Sequence, residues 1–173
     1  MTTLYDLTIP FLIKALKTEQ NLLAKAEAFA TEKGTPIAEL LETRLAPDMW
    51  PLSQQIVIIT LHAALAVLKL TGTPPPKINF GPAPLEDCKK YLAETLVILE
   101  AVTPESVNGK EEEIVGAMTG GATEAKMKAL DYVEGYLKPN IYFHITTHYD
   151  ILRSKGATLG KGDYLNPFVT IQQ

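Results

Sequence analysis

Apolar residues recur at helical spacing along four long stretches of the chain, and each stretch predicts a helix. The four predicted helices run from Leu4 to about Thr31, from Leu52 to Leu70, from Leu85 to Val102 and from Asn140 to about Lys155. The second of them is apolar nearly all round, which is typical of a helix buried among others. The pattern therefore predicts an all-α protein built as a four-helix bundle.

Glycine and proline separate these helices from shorter elements. Gly34 and Gly72 end the first and second helices, because glycine readily adopts the backbone conformation of a helix C-cap. Pro139 begins or kinks the last helix. Short extra helices are predicted over residues 35–41, from Pro104 for one turn, and from about Asp131 to Leu137.

Two regions lack a helical pattern. Residues 110–128 contain a run of glutamates and several glycines, so they are predicted as loop with at most a short extended piece. The C-terminal tail after Gly156 is predicted to be rich in loops, with residues 168–171 as an extended strand against the body. The proline-rich stretch 74–84 is a surface connection.

Length and charge narrow the class of protein. With 173 residues and 46% apolar side chains, the chain is predicted to form a single domain over residues 1–173. The net charge is −4, and no basic stripe stands out, so nucleic acid is not an expected partner. The most hydrophobic stretch, 56–70, is too short to span a bilayer comfortably, so no membrane is expected.

The cysteine count and the N-terminus bear on the compartment. Cys88 is the only cysteine, which excludes an internal disulfide and suits a reducing cytosol. The first residues lack a cationic segment followed by an apolar run, so they do not resemble a secretion signal. We therefore expect a cytoplasmic protein.

The chain contains three histidines, and all three fall on apolar faces of predicted helices. His144 and His148 are four residues apart, which on a helix places the two rings on one face, about 5–6 Å apart at Cβ. His62 lies midway along the second long helix. A pair on one helix and a third histidine on a facing helix can bind one divalent ion, while the alternative for each is a hydrogen-bonded core histidine.

Three segments carry a resemblance to a known family. They are residues 4–10 (LYDLTIP), 48–52 (DMWPL) and 139–147 (PNIYFHITT), the last continuing into YDILR at 149–153 and GKGDYL at 160–165. With these motifs the chain resembles the DinB/YfiT-like superfamily, in particular its domain-of-unknown-function branch found in bacteria and fungi. The resemblance covers nearly the whole chain, and its last two motifs are fairly specific for that branch.

The resemblance implies a fold and a metal site. The fold is an up-down-down-up four-helix bundle with a long crossover, made here by the connection 74–84 or by the segment around Gly120. Metal-binding members use one histidine of the second helix, matched by His62, and a His-x-x-x-His pair on the last, matched by His144 and His148. The superfamily's metals are zinc and nickel, its activities include thiol-dependent transferases and isomerases, and its members often form homodimers.

Two hypotheses for function follow. In the first, the protein is a metal-dependent enzyme in which the three histidines bind zinc or nickel, and the ion activates water or a small thiol. The residues expected to support the histidines are Gln55, Tyr5 and Asp6, with Thr147 and Tyr142 as weaker candidates. In the second, the protein is a non-catalytic helical protein without metal that binds a small molecule or dimerises.

Overall fold

The computed structural model describes residues 2–118 and 123–169, and four long helices form its body. These are α1 (Leu4–Lys33), α3 (Leu52–Thr71), α4 (Leu85–Glu100) and α7 (Lys138–Ser154). The shorter helices are α2 (Ile37–Leu41), α5 (Pro104–Val107), α6 (Ala129–Asp131), α8 (Lys161–Leu165) and a π-helix (Tyr132–Leu137) between α6 and α7. The predicted all-α four-helix bundle is confirmed.

Side-chain contacts give the directions of the four long helices. Near one end, Lys17 of α1 pairs with Glu100 of α4, and near the other Lys89 of α4 lies 2.8 Å from Glu27 of α1, so these two helices are antiparallel. Between α3 and the last helical segment, Gln55 contacts His144 and His62 contacts Tyr136, which lies in the π-helix directly before α7. Between α1 and α7, Phe11 contacts Tyr142 and Glu19 contacts His148. These contacts make α3 antiparallel to α7, and α1 parallel to α7. The order is therefore up-down-down-up, and the connection 72–84 is the crossover between parallel α3 and α4.

Each long helix buries apolar side chains in a shared core. Leu16, Ile59, Leu92 and Ile145, one from each helix, are completely inaccessible to solvent. By length and composition alone α3 could also cross a membrane, and 67% of its most apolar window is buried inside the protein. Packing against the other helices therefore accounts for its apolar surface.

A capping box fixes the start of α1. The Thr3 hydroxyl accepts a hydrogen bond from the backbone N–H of Asp6, and the Asp6 carboxylate accepts one from the N–H of Thr3. Since these bonds satisfy backbone donors that have no partner within the helix, we expect Thr3→Ala to lower the free energy of unfolding by about 1 kcal/mol. Urea denaturation checks this value, with Thr2→Ala as the matched control at an exposed position outside the helix. Equal effects of the two substitutions would contradict the role of the cap.

A short antiparallel hairpin lies within residues 110–128, where the sequence predicted loop with a short extended piece. Strand β1 (Ile114–Ala117) pairs with β2 (Ala125–Lys128), with Val115 opposite Met127. Only Val115 and Ala117 of β1 are buried, so the alternating pattern that marks a strand is just two residues long. That is why the sequence did not predict a sheet. The predicted loop glycines at 120 and 121 lie outside the described residues.

The last long helix begins earlier than predicted. Backbone from Ala129 to Ser154 is continuously helical, and the π-helix lies directly before Pro139. Proline has no N–H to donate and its ring crowds the preceding turn, so the wider i→i+5 turn accommodates it without ending the helix. Pro139 thus lies in the first turn of α7, where the sequence predicted it, and helical backbone also precedes it.

The C-terminal tail contains a helix that was not predicted. At the start of α8 the carboxylate of Asp163 accepts a hydrogen bond from the backbone N–H of Gly160 at 2.8 Å, which caps the helix. Phe168 lies in a turn after this helix and not in the predicted strand, while residues 170 and 171 of that prediction lie outside the described residues. Asn21 of α1 donates a hydrogen bond to the Asp163 carbonyl, which ties the tail to the bundle.

Candidate ligand-binding pocket

A pocket of about 600 Å³ lies where α3 faces the π-helix and α7. Leu61, His62 and Leu65 of α3 form part of its wall, and Ala117 at the end of β1 also contributes. The volume is within the range of small-molecule sites, and most of the wall is apolar. The pocket can therefore enclose a small organic molecule.

Six aromatic rings, each in contact with the next, line this pocket in what we call the aromatic row. Their order is Phe80, Trp50, His144, His62, Tyr136 and Tyr132, with successive ring centroids 5.7, 5.8, 6.3, 5.6 and 5.7 Å apart. The row is accessible to solvent at its Phe80 end, where Phe80 is 62% exposed and Trp50 is 40% exposed. At the other end Tyr132 is only 1% exposed. The row therefore leads from the surface into the bundle.

The π-helix contributes the two tyrosines of the row. Tyr132 and Tyr136 are four residues apart and stack with an angle of 26° between their planes. Wide helical turns of this kind occur frequently at functional sites. Next to Tyr132, the ammonium group of Lys69 lies 6.0 Å from the ring centroid and 3.5 Å from a carboxylate oxygen of Glu124. A charged pair thus closes this end of the row.

Hydrogen bonds fix the orientation and the tautomer of His144. The amide nitrogen of Gln55 donates to the carbonyl of Trp50 at 2.9 Å, so the amide oxygen of Gln55 is the atom that faces His144. That oxygen lies 2.7 Å from Nδ1 of His144 and can only accept, so Nδ1 carries the proton. Nε2 of His144 consequently presents a lone pair.

The two histidines of the row are uncharged at neutral pH. Burial lowers the pKa of His62 from its ordinary value of 6.5 to about 4. Burial also lowers the pKa of His144 to about 4, and repulsion from His62 adds to the effect. Both imidazoles therefore act as neutral hydrogen-bonding groups, and neither is a strong base.

His148 lies apart from the pocket, in the core of the bundle. Its Nδ1 donates a hydrogen bond to Glu19 of α1, and both side chains are completely buried. Within the described residues, Nε2 of His148 and the second carboxylate oxygen of Glu19 have no hydrogen-bond partner. Glu19 and His148 thus form a buried polar pair between α1 and α7.

The three histidines are not assembled around one point. His62 and His144 face the pocket, but His148 faces α1, although His144 and His148 are one turn apart on the same helix. Across the described ranges, no group of three or more histidine, cysteine, aspartate or glutamate side chains is placed to hold a metal ion. In the described part of the chain the three histidines are therefore not arranged as a preformed metal site.

The expected supporting residues lie in different places. Gln55 contacts His144, whereas Asp6 caps α1 at the surface and the N–H of Tyr5 donates to the side chain of Asn108. Thr147 donates to the carbonyl of Phe143 in its own helix. Tyr142 packs on Phe11 and Phe168, outside the pocket lining. Of the five, only Gln55 touches one of the three histidines through a hydrogen bond in the described part of the chain.

Cys88 is a core residue. Its side chain is fully buried, and burial together with the nearby charges of Glu19 and Asp87 raises the pKa of its thiol to about 12. Cys88 is consequently an unreactive thiol.

Sequence reasoning missed most of the pocket and the partner of His148. Glu19 occupies a position of the apolar face that also holds Leu12, Leu16 and Leu23, and an acid within such a face is the signal that could have identified it. Tyr132 and Tyr136 show helical spacing in the sequence, but the spacing does not indicate that they line a pocket. Their position in the wall follows from the π-helix. Nothing local links Trp50 with Phe80, thirty positions later in the chain.

Comparisons with known proteins assign the family. A family model described as a domain of unknown function (DUF1993) matches residues 4–165. A crystal structure of a DinB family member protein from Shewanella denitrificans is 33% identical, has a TM-score of 0.82, and aligns over 94% of this chain and 91% of that one. No curated protein matches. The chain belongs to the DUF1993 family of DinB-like helical proteins, which confirms the resemblance predicted from the sequence.

Proposed function

We propose that this protein binds a small, planar aromatic molecule in the pocket along the aromatic row. The observation that supports this most is the unbroken contact of six rings around a space of about 600 Å³. Aromatic rings favour aromatic ligands because offset and edge-to-face contacts add to the burial of apolar surface. Binding is the activity proposed, and no chemical step is assigned to it.

The electrostatics of the pocket support an uncharged ligand. His62 and His144 are neutral because burial lowers their pKa values to about 4. The only charged side chains in the described lining, Lys69 and Glu124, already neutralise each other at 3.5 Å. A ligand with a net charge would lose hydration without gaining an opposite charge.

We expect calorimetric titration to detect binding of naphthol. Decahydronaphthol, its saturated counterpart, should bind at least about tenfold more weakly. A tenfold difference corresponds to about 1.4 kcal/mol of aromatic contact. The variant Leu61→Trp, which fills the pocket from α3, should weaken naphthol binding by a similar factor.

The matched control for this experiment is Val97→Trp. Val97 lies on α4 and is 66% exposed, so the same large side chain is added outside the pocket and should leave the affinity for naphthol unchanged. Absence of any binding by naphthol, or binding that Leu61→Trp does not weaken, would overturn the proposed function.

A metal-dependent enzyme is the second candidate, with zinc or nickel bound by His62, His144 and His148. One observation favours it: Nδ1 of both His144 and His148 donates to an oxygen atom, as is usual in metal-binding histidines, and Nε2 is the nitrogen left for an ion. The rings would have to turn toward one another to share an ion. We therefore rank it below the aromatic ligand.

Elemental analysis of protein purified without a histidine tag tests this second candidate. The metal-dependent enzyme requires near-stoichiometric zinc or nickel that is lost in His148→Ala. It also requires a melting temperature that falls when a chelator is added. Protein free of metal that also fails to take up added zinc would rule out the metal-dependent enzyme.

The predicted homodimer and the cytoplasmic location stay predictions.

A further inference from the structure

Two hydrogen-bonding groups in the wall of the pocket are available to a ligand. The protonated Nδ1 of His144 is held by Gln55, so Nε2 can only accept a hydrogen bond. Among the described residues, Nε2 of His144 and both ring nitrogens of His62 have no hydrogen-bond partner. His62 in its neutral form supplies one N–H donor in either tautomer. His144 and His62 thus place a fixed acceptor beside a donor.

The spacing of the two imidazoles suits a single oxygen atom between them. Their ring centroids are 6.3 Å apart, and their planes are inclined to each other by 26°. An oxygen in hydrogen-bond contact with a nitrogen of each ring lies about 4 Å from each centroid, so the two rings subtend an angle of roughly 105° at that oxygen. This angle is close to the angle between the direction in which a hydroxyl group donates its proton and the direction in which it accepts a hydrogen bond.

Resting on the proposed function, we infer that the ligand is a hydroxyaromatic molecule whose hydroxyl group donates to Nε2 of His144 and accepts from His62. The aromatic body of such a ligand would lie against the other rings of the row, of which Trp50 contacts His144 and Tyr136 contacts His62. The hydroxyl group matches both wall atoms, because it is a donor and an acceptor at one centre.

Other polar groups match only half of this pair. An ether or a carboxylate accepts but does not donate, so Nε2 of His144 would be removed from solvent without gaining a partner. An indole N–H donates to His144 but offers nothing to the donor of His62. A site that hydrogen-bonds a ligand hydroxyl discriminates strongly against analogues without it, since its own buried polar groups are then left unpaired.

Calorimetric titration with three naphthalene derivatives tests the inference. We expect naphthol to bind at least about tenfold more tightly than methoxynaphthalene, in which a methyl group replaces the hydroxyl proton, and also more tightly than naphthoate. Substitution His144→Phe, which keeps a ring and removes the acceptor, should make naphthol and methoxynaphthalene bind equally. Tyr149→Phe removes a hydroxyl group from the separate Tyr149–Tyr164 contact and should change neither affinity.

The variant His62→Phe guards against a folding defect in His144→Phe. Among the described residues His62 is only partly buried and has no hydrogen bond to lose, so the variant should fold. It should weaken naphthol and methoxynaphthalene alike, because both ligand oxygens accept from His62, and it should keep the preference for naphthol that depends on Nε2 of His144. Equal binding of naphthol and methoxynaphthalene to the unaltered protein would overturn the hydroxyl inference while leaving the aromatic pocket in place. If neither binds, the proposed function fails with it.

Discussion

Replacement of Glu19 by methionine is expected to lower the free energy of unfolding by about 3 kcal/mol or more. The substitution keeps the length of the side chain but leaves the Nδ1 proton of His148 without an acceptor in a fully buried position. Burial of an unpaired polar group costs far more than the net value of the hydrogen bond that it has lost. This pair should therefore be the most sensitive polar contact in the core.

Urea denaturation of two single variants and the double variant measures this effect. Glu19→Met and His148→Leu should each be strongly destabilising, whereas the double variant should be much more stable than the sum predicts, because neither polar group is left unpaired. Glu27→Met is the matched control on the same helix, since Glu27 pairs with Lys89 near the surface and should cost less than about 1 kcal/mol. Additive, small effects of Glu19→Met and His148→Leu would show that the pair does not form.

Mild acid is expected to destabilise the protein through the two histidines of the pocket. The pKa values of His62 and His144 are about 4 in the folded protein, below the ordinary value of 6.5. The unfolded chain therefore takes up protons first as the pH falls below about 6.5, and each histidine removes up to about 3 kcal/mol of stability by pH 4. Above pH 6.5 the stability that depends on both histidines being neutral is fully present.

Stability measured at a series of pH values between about 7 and 4 tests this expectation. A double variant, His62→Phe with His144→Phe, should lose much of its acid dependence over that range, because phenylalanine does not titrate. The carboxylates contribute equally to both proteins, so the difference between the two curves isolates the histidines. Parallel curves would mean that both rings are accessible to protons in the folded state.

The four-helix bundle could be predicted because its signals are long and local. Helix α3 is a continuous apolar run ended by Gly72, and α1 and α4 carry regular apolar faces. The hairpin and the π-helix could not be predicted in the same way. Two buried positions in β1 are too few for a periodic signal, and a π-turn before Pro139 has no pattern that distinguishes it from a kink.

The site was harder to predict than the fold because it depends on which helix each histidine faces. Spacing correctly indicates that His144 and His148 lie on the same side of α7. Four residues, however, also rotate a side chain by about 40° and move it about 6 Å along the axis. That difference is enough to direct His144 toward Gln55 of α3 and His148 toward Glu19 of α1. No pattern within α7 contains this information, because it belongs to the neighbouring helices.

The proposed function places His62 and His144 in the wall of a ligand pocket and His148 outside it. Nitrogen NMR of protein labelled in its three histidine rings tests this division most directly. Substitution of each histidine in turn assigns the ring signals. With naphthol added, the signals of His62 and His144 should move while those of His148 stay in place. Movement of all three rings on addition of zinc, with no response to naphthol, would contradict this division and favour a shared metal site.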